Sequence, residues 1–112
     1  MSLDVYLMAR VDLGGDRDPR EFEVYWDNYT SNVWQMWEKA GVYEALNQSD
    51  GKMAGEIVET LKRGIAAMEA DQDGYRALNP ENGWGSYGGA LRFLQNYAEA
   101  CEENPKAIVR VS

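Results

Sequence analysis

The stretch LDVYLMARV, residues 3–11, sets Leu3, Val5, Leu7, Ala9 and Val11 on one side of an extended chain and Asp4, Tyr6, Met8 and Arg10 on the other. Successive side chains of a strand point to opposite faces, so this period of two predicts a strand over Leu3–Val11 with one face buried. Beyond it, Asp12 to Arg20 holds Gly14, Gly15 and Pro19 among charges and reads as a turn or long hairpin loop. Phe22, Val24 and Trp26 alternate again and predict a second strand, Phe22–Trp26, paired antiparallel with the first. At the far end Ala107, Val109 and Val111 give a closing strand over Ala107–Val111. Both chain ends are apolar and would otherwise stay unpaired, so the first and last strands are expected to be neighbours.

The middle of the chain changes period. Thr30 or Ser31 is placed to cap a helix over 31–40, with Val33, Met36, Trp37 and Ala40 as its apolar stripe and Gly41 as its stop. Val42, Tyr43 and Leu46 suggest a short helical continuation before NQSDG breaks it. A second helix is expected over 51–70, capped by Asp50 or Ser49, with Met53, Ile57, Leu61, Ile65 and Met68 on one face. Gly55 and Gly64 each cost such a helix about 1 kcal/mol relative to alanine, which suggests close packing by another element. DQDGYRALNP reads as a single turn with Tyr75 and Leu78 pointing inward. Tyr87, Leu91, Leu94, Ala98 and Cys101 define a last helix over 87–103, stopped by Asn104-Pro105. The economical fold is α+β: a small antiparallel sheet of about three strands, with three main helices on one face.

Composition bounds the function. At 112 residues, with 45% hydrophobic and 27% charged residues, the chain suits a single globular domain. Its net charge of −8 argues against binding along a nucleic-acid backbone and fits a basic partner surface. The single cysteine, Cys101, excludes a disulfide within the chain and suits a reducing cytoplasm. It is most simply a small buried hydrophobe. No histidine is present, which removes the commonest general base and metal ligand. No metal or cofactor, and no enzyme activity, is therefore expected. Glu56 with Glu59, and Glu102 with Glu103, read as solvated helix faces rather than a hydrolytic acid pair. No signal peptide or membrane-spanning run is apparent.

Two segments carry residues that a core does not need. NPENGWGSY, Asn79 to Tyr87, sets Trp84 between Gly83 and Gly85, with Asn82 beside it and Tyr87 at its end. Such glycines allow positive φ, an unhindered indole can lie over a planar group, and an amide offers both donor and acceptor. The plainer account is that Trp84 plugs the core while the asparagines cap turns. WDNYTSN, Trp26 to Asn32, places Asn28, Thr30 and Asn32 at a spacing of two before a helix start, where free N–H groups favour anions. A helix cap with an Asx turn explains the same residues. If both helix starts lie at one end of the sheet, Trp26, Asn28, Asn32, Asn82, Trp84 and Tyr87 would line a shared pocket. Arg10 or Arg92 would supply the counter-charge.

MSLDVYL, VYWDNYTSNVWQMWEKAGVYEAL, NPENGWGSY and LRFLQNYAEACEENPKAIVRVS together resemble a family of small proteins carried by bacteriophages and their hosts. Where this chain has Ser31, that pattern often has histidine, so no histidine chemistry carries over. The resemblance implies an accessory role in a bacterial cytoplasm, with action against host defence as one form it could take. Two functions are compatible with these observations. One is binding, in a sponge-like way, of a small ligand, for instance a nucleotide-derived one, with aromatic faces for a base and amides for a ribose. The other is an acidic inhibitor that covers a basic surface on a host defence protein.

Overall fold

The computed structural model describes all 112 residues and has an α+β fold. Strand β1 (Ser2–Val11) lies between β2 (Arg20–Thr30) and β3 (Ile108–Val111), and both pairings are antiparallel. The first and last strands are thus neighbours, as their apolar patterns require. Asp4 and Ser112 extend the ladder by exchanging two backbone hydrogen bonds of 3.0 Å. Leu3, Val5 and Leu7 of β1 and Val109 of β3 are buried, while Asp4, Tyr6 and Met8 keep partial exposure on the other face.

Strand β2 differs from expectation in two respects. It is longer, because its ladder with β1 runs on to Thr30 opposite Ser2, so Asp27 to Thr30 are strand rather than loop. Its inward residues are also not the apolar set Phe22, Val24 and Trp26, which are 52%, 46% and 50% exposed. Tyr25 and Tyr29 pack against the core instead. The register gives the reason. Tyr25 lies opposite Leu7 and Tyr29 opposite Leu3, and directly opposed residues share a face. Trp26 falls opposite Tyr6 on the outer face. Below Tyr25 a bulge lets Val24 slip out of the pairing, and the hairpin runs past the end of β3, which pairs only with Val5 to Met8. Phe22 therefore has no helix beneath it. The projecting hairpin makes the molecule 55 Å long, with a radius of gyration of 15.1 Å against about 13 Å for a compact chain of this length.

After β2 a 3-10 turn, Ser31–Val33, leads into α1 (Trp34–Ala40), which ends at Gly41 with φ 78°. Helix α2 (Tyr43–Asn47) follows. The next helix starts later than its apolar spacing predicts: a 3-10 turn at Ala54–Glu56 precedes α3 (Val58–Ala70). The sheet claims the intervening residues. Gly51 N donates to Val109 O, Val109 N to Lys52 O, and Ala54 N to Ala107 O, so residues 51–54 run along the free edge of β3. Met53 is consequently 46% exposed rather than in the core. Asp50 and Ser49 do not cap α3; the Asp50 carboxylate accepts from Val111 N and the Ser49 hydroxyl donates to Ala45 O.

Helix α4 (Gln72–Arg76) is the short turn expected from DQDGYRALNP, with Tyr75 buried and Leu78 half-buried. Helix α5 (Tyr87–Glu103) buries a wider face than the predicted stripe, adding Ala90, Phe93, Tyr97 and Ala100, because it packs on the sheet and on α3 at once. Rings of Trp37 and Phe93 lie 5.8 Å apart, and those of Phe93 and Tyr97 6.2 Å apart. Gly64 in α3 and Gly55 in the 3-10 turn before it both mark close approaches: a Cβ on Gly64 would run into Val42, and one on Gly55 would lie 3.1 Å from Pro105 O.

Arg110 ties the sheet's outer face together. Its Nε and Nη2 donate to both carboxylate oxygens of Glu21, at 3.1 and 2.7 Å, and Asp50 lies 3.6 Å from Nη1. The hydrogen bonds from Arg110 hold the Glu21 carboxyl below its ordinary value, against the opposing effect of partial desolvation. A carboxyl depressed on folding contributes stability above its unfolded value and loses it as pH falls through the folded one. Glu21→Gln should therefore leave the melting temperature unchanged in its pH dependence near neutrality. Below about pH 4.5 it should shallow the fall seen in the wild type. Leu61 and Leu94 are both fully buried, and truncating either to alanine should cost about 2–5 kcal/mol in urea unfolding. A midpoint within error of wild type would remove them from the core.

Candidate functional site

The two asparagine-bearing segments meet. Strand β2 delivers Thr30, whose hydroxyl accepts from Asn32 N at 3.3 Å and opens the 3-10 turn. Across from it, Gly83 and Gly85 take φ of 76° and 99°, conformations open to glycine at little cost. Gly85 lies hard against Thr30 and Val33, where a Cβ would sit 2.7 and 2.8 Å from their methyl groups. Asn82 Oδ1 accepts from Trp84 N at 2.9 Å and faces Asn32 Nδ2 at 3.5 Å. Asn79 Oδ1 accepts from Tyr87 N at 2.8 Å. Ser86 Oγ caps α5 through Gly89 N at 3.2 Å.

One residue that the composition of these loops does not advertise holds them together. The Tyr29 hydroxyl accepts from Ser86 N at 3.0 Å, and its ring packs 6.0 Å from Phe93 and 6.5 Å from Trp37. Gly89 leaves the room that this hydroxyl occupies. The signal available in the sequence is the period of two running through Tyr25, Asp27 and Tyr29, which places Tyr29 on the core face opposite Leu3.

The candidate residues do not line one cavity. Asn32 and Asn82 are in contact, and Trp84 beside them is 67% exposed, so it does not plug the core. Tyr87 is a core residue: it is buried, donates from its hydroxyl to Met68 O at 2.8 Å and packs beside Tyr75. Helical period turns it inward. Asn28 lies opposite Asp4 on the outer face of the sheet. Trp26 borders a separate groove with Asn96 and Glu99 of α5. Arg10 is on the projecting hairpin, beside Val24 and Pro105. It is six residues along β1 from the partner of Asn28, about 20 Å away. Arg92 is exposed on α5 with no side-chain hydrogen bond or ion pair. Arg110, on β3, is occupied by Glu21 and Asp50.

A second exposed tryptophan follows the junction in the chain. Trp34, 45% exposed, borders a depression of about 450 Å³ with Leu78, Gln35, Glu38 and Lys39. It directly follows Val33, on which Gly85 rests. Trp34 falls off the apolar stripe of α1, which is the sequence signal that it serves something other than the core. Lys39 is engaged within the molecule, 3.2 Å from Asp71 and 4.6 Å above the Tyr75 ring. Glu38 makes no ion pair.

Cys101 is buried, and burial pushes its thiol up to about 12, so it stays protonated at neutral pH. No three acidic or cysteine side chains converge in a metal-binding group, and no helix is long and apolar enough to cross a membrane. No protein-family model, curated protein or solved structure matches this chain.

Tyr29→Phe removes the acceptor of Ser86 N. It should cost about 1 kcal/mol and speed amide hydrogen exchange at Ser86 and Trp84, while the exchange of Leu94 and Val5 keeps its order. Unchanged exchange at Ser86 would show that the junction is held by packing alone.

Proposed function

We propose that this protein works by surface recognition, docking a partner protein through a ledge formed by Trp84, Trp34 and Leu78. The observation that carries this is the state of Trp84: it is two-thirds exposed, yet its loop is fixed by hydrogen bonds from Trp84 N, Ser86 N and Tyr87 N. A large apolar ring held in water on a pre-ordered backbone gains when a partner buries it, and little further ordering is then lost. Sites that enclose a small ligand surround most of its surface. The depression beside Trp34 is bordered by five residues, a ledge rather than an enclosure.

The partner's chemistry follows from charge. The chain carries −8, and Glu38, beside Trp34, and Glu81, three residues before Trp84, make no ion pair, so a basic surface suits it. With the resemblance to phage-borne proteins, this supports an inhibitor that covers a basic surface of a host defence protein. A second reading rests on the Asn32–Asn82 contact, 3.5 Å, beside the Trp84 ring: together they offer an amide edge and a stacking plane to a nucleotide-derived ligand.

Native mass spectrometry of the protein purified from phage-infected cells separates the two. Surface recognition is expected to yield a co-purifying protein that is lost with Trp84→Ala and weakened about tenfold or more by Glu38→Lys with Glu81→Lys. A retained small mass, lost with Trp84→Ala but indifferent to the charge reversals, would transfer the function to ligand binding. A bare protein mass would sink both.

A further inference from the structure

The geometry points to the free edge of β2 as a strand-addition site for an extended basic peptide, a function separate from the tryptophan ledge. The two edges of this sheet are treated differently. Residues 51–54 cover the edge of β3 with backbone hydrogen bonds, whereas β2 is paired on one side only.

Which main-chain groups face outward on β2 follows from the ladder. Asp4 spends its N–H and C=O on Ser112, and Tyr6, two residues on, pairs with Arg110 in β3. Neither can also bond β2, so their partners there, Asn28 and Trp26, turn their own N–H and C=O away from β1. The Asn28 N–H confirms this direction, since it is met by the Asp27 carboxylate at 2.8 Å. An incoming strand could exchange that local bond and add the remaining groups of Trp26 and Asn28 to a fourth ladder. The bulge at Val24 ends the available edge on one side.

Beside this edge runs a groove of about 300 Å³, bordered by Tyr25, Trp26 and Asp27 of β2 and by Asn96, Glu99 and Glu103 of α5. Side chains on one face of an added strand would lie over it at every second position. Glu99, Glu103 and Asp27 make no ion pair within the molecule; Glu102, on the next face, is the residue that holds Lys62. Burial and the neighbouring Asp27 push the Tyr25 phenol up, so it stays a donor to that carboxylate at 3.3 Å. Lysine or arginine at alternate positions, on the face turned toward α5, would meet Glu99 and Glu103 across the groove. A second copy of this chain is the wrong occupant: two-fold pairing of β2 edges would bring both sets of these carboxylates together, on molecules of charge −8 each.

The test is fluorescence anisotropy of the intact protein with a labelled heptapeptide of alternating lysine and valine. Controls are its glutamate–valine counterpart and a lysine–valine peptide N-methylated on every backbone amide, which keeps the charge but has no main-chain N–H to give to a ladder. Saturable binding about tenfold or more tighter than either control is expected. Glu99→Lys with Glu103→Lys should lower it by a similar factor, and Trp84→Ala should leave it unchanged, which keeps this result distinct from the fate of the ledge. Equal binding of the N-methylated peptide, absence of saturable binding, or a dimer of the free protein in sedimentation velocity would each overturn the proposal.

Discussion

Strand β1 is the one strand with another strand on each side, and its period of two governs the molecule. Its odd residues Leu3, Val5 and Leu7 point their side chains into the core; Asp4 and Tyr6 point theirs out. The same alternation divides its main-chain groups, with Asp4 bonding β3 and Leu3 left for β2. A shift by one residue would therefore exchange both the buried face and the bonding partner. The positions of Tyr25 and Tyr29 are consequences of this register, since each is set by the β1 residue opposite it.

Tyr29 carries that constraint outward. Its ring belongs to the aromatic cluster with Trp37 and Phe93, while its hydroxyl reaches the backbone at the start of α5. One side chain thus couples the end of β2, the entry to α1 and the NPENGWGSY segment. The asparagines then work mainly as local fasteners: Asn79 and Asn82 satisfy main-chain donors that two left-handed glycines would otherwise leave to water. With its neighbours so fastened, Trp84 is free of any internal duty. Its exposure is meaningful because the surrounding backbone is ordered.

Element types were legible because each rests on a local period: alternation in 3–11, a three-and-four stripe in 58–70 and 87–103. The meeting of the two asparagine segments was legible only as a condition, that both helix starts lie at one end of the sheet. What could not be read was decided by partners distant in sequence. Phe22, Val24 and Trp26 look like a buried face until Leu7 and Leu3 choose Tyr25 and Tyr29 instead. Met53 fits the helical stripe, yet Val109 and Ala107 draw its segment into the sheet edge. Tyr87 resembles a loop aromatic, and only the carbonyl of Met68, across on α3, makes it a core residue. Trp34 is marked in the sequence only by lying beside the apolar stripe of α1, and the fold carries it to the surface next to Leu78.

An open edge of eleven residues with half-exposed aromatic side chains is ordinarily an aggregation hazard. This one carries its own safeguards. The bulge at Val24 interrupts the ladder, and Glu21, Glu23 and Asp27 set a carboxylate near every stretch that another β2 could approach. Of these three only Glu21 is paired, with Arg110. Like edges are thereby kept apart by the same charges that would receive a basic strand, so one arrangement serves both exclusion and selection. Selectivity on this edge then rests on charge at alternate positions rather than on any deep side-chain pocket. A partner would be recognised there by its extended backbone and its cations.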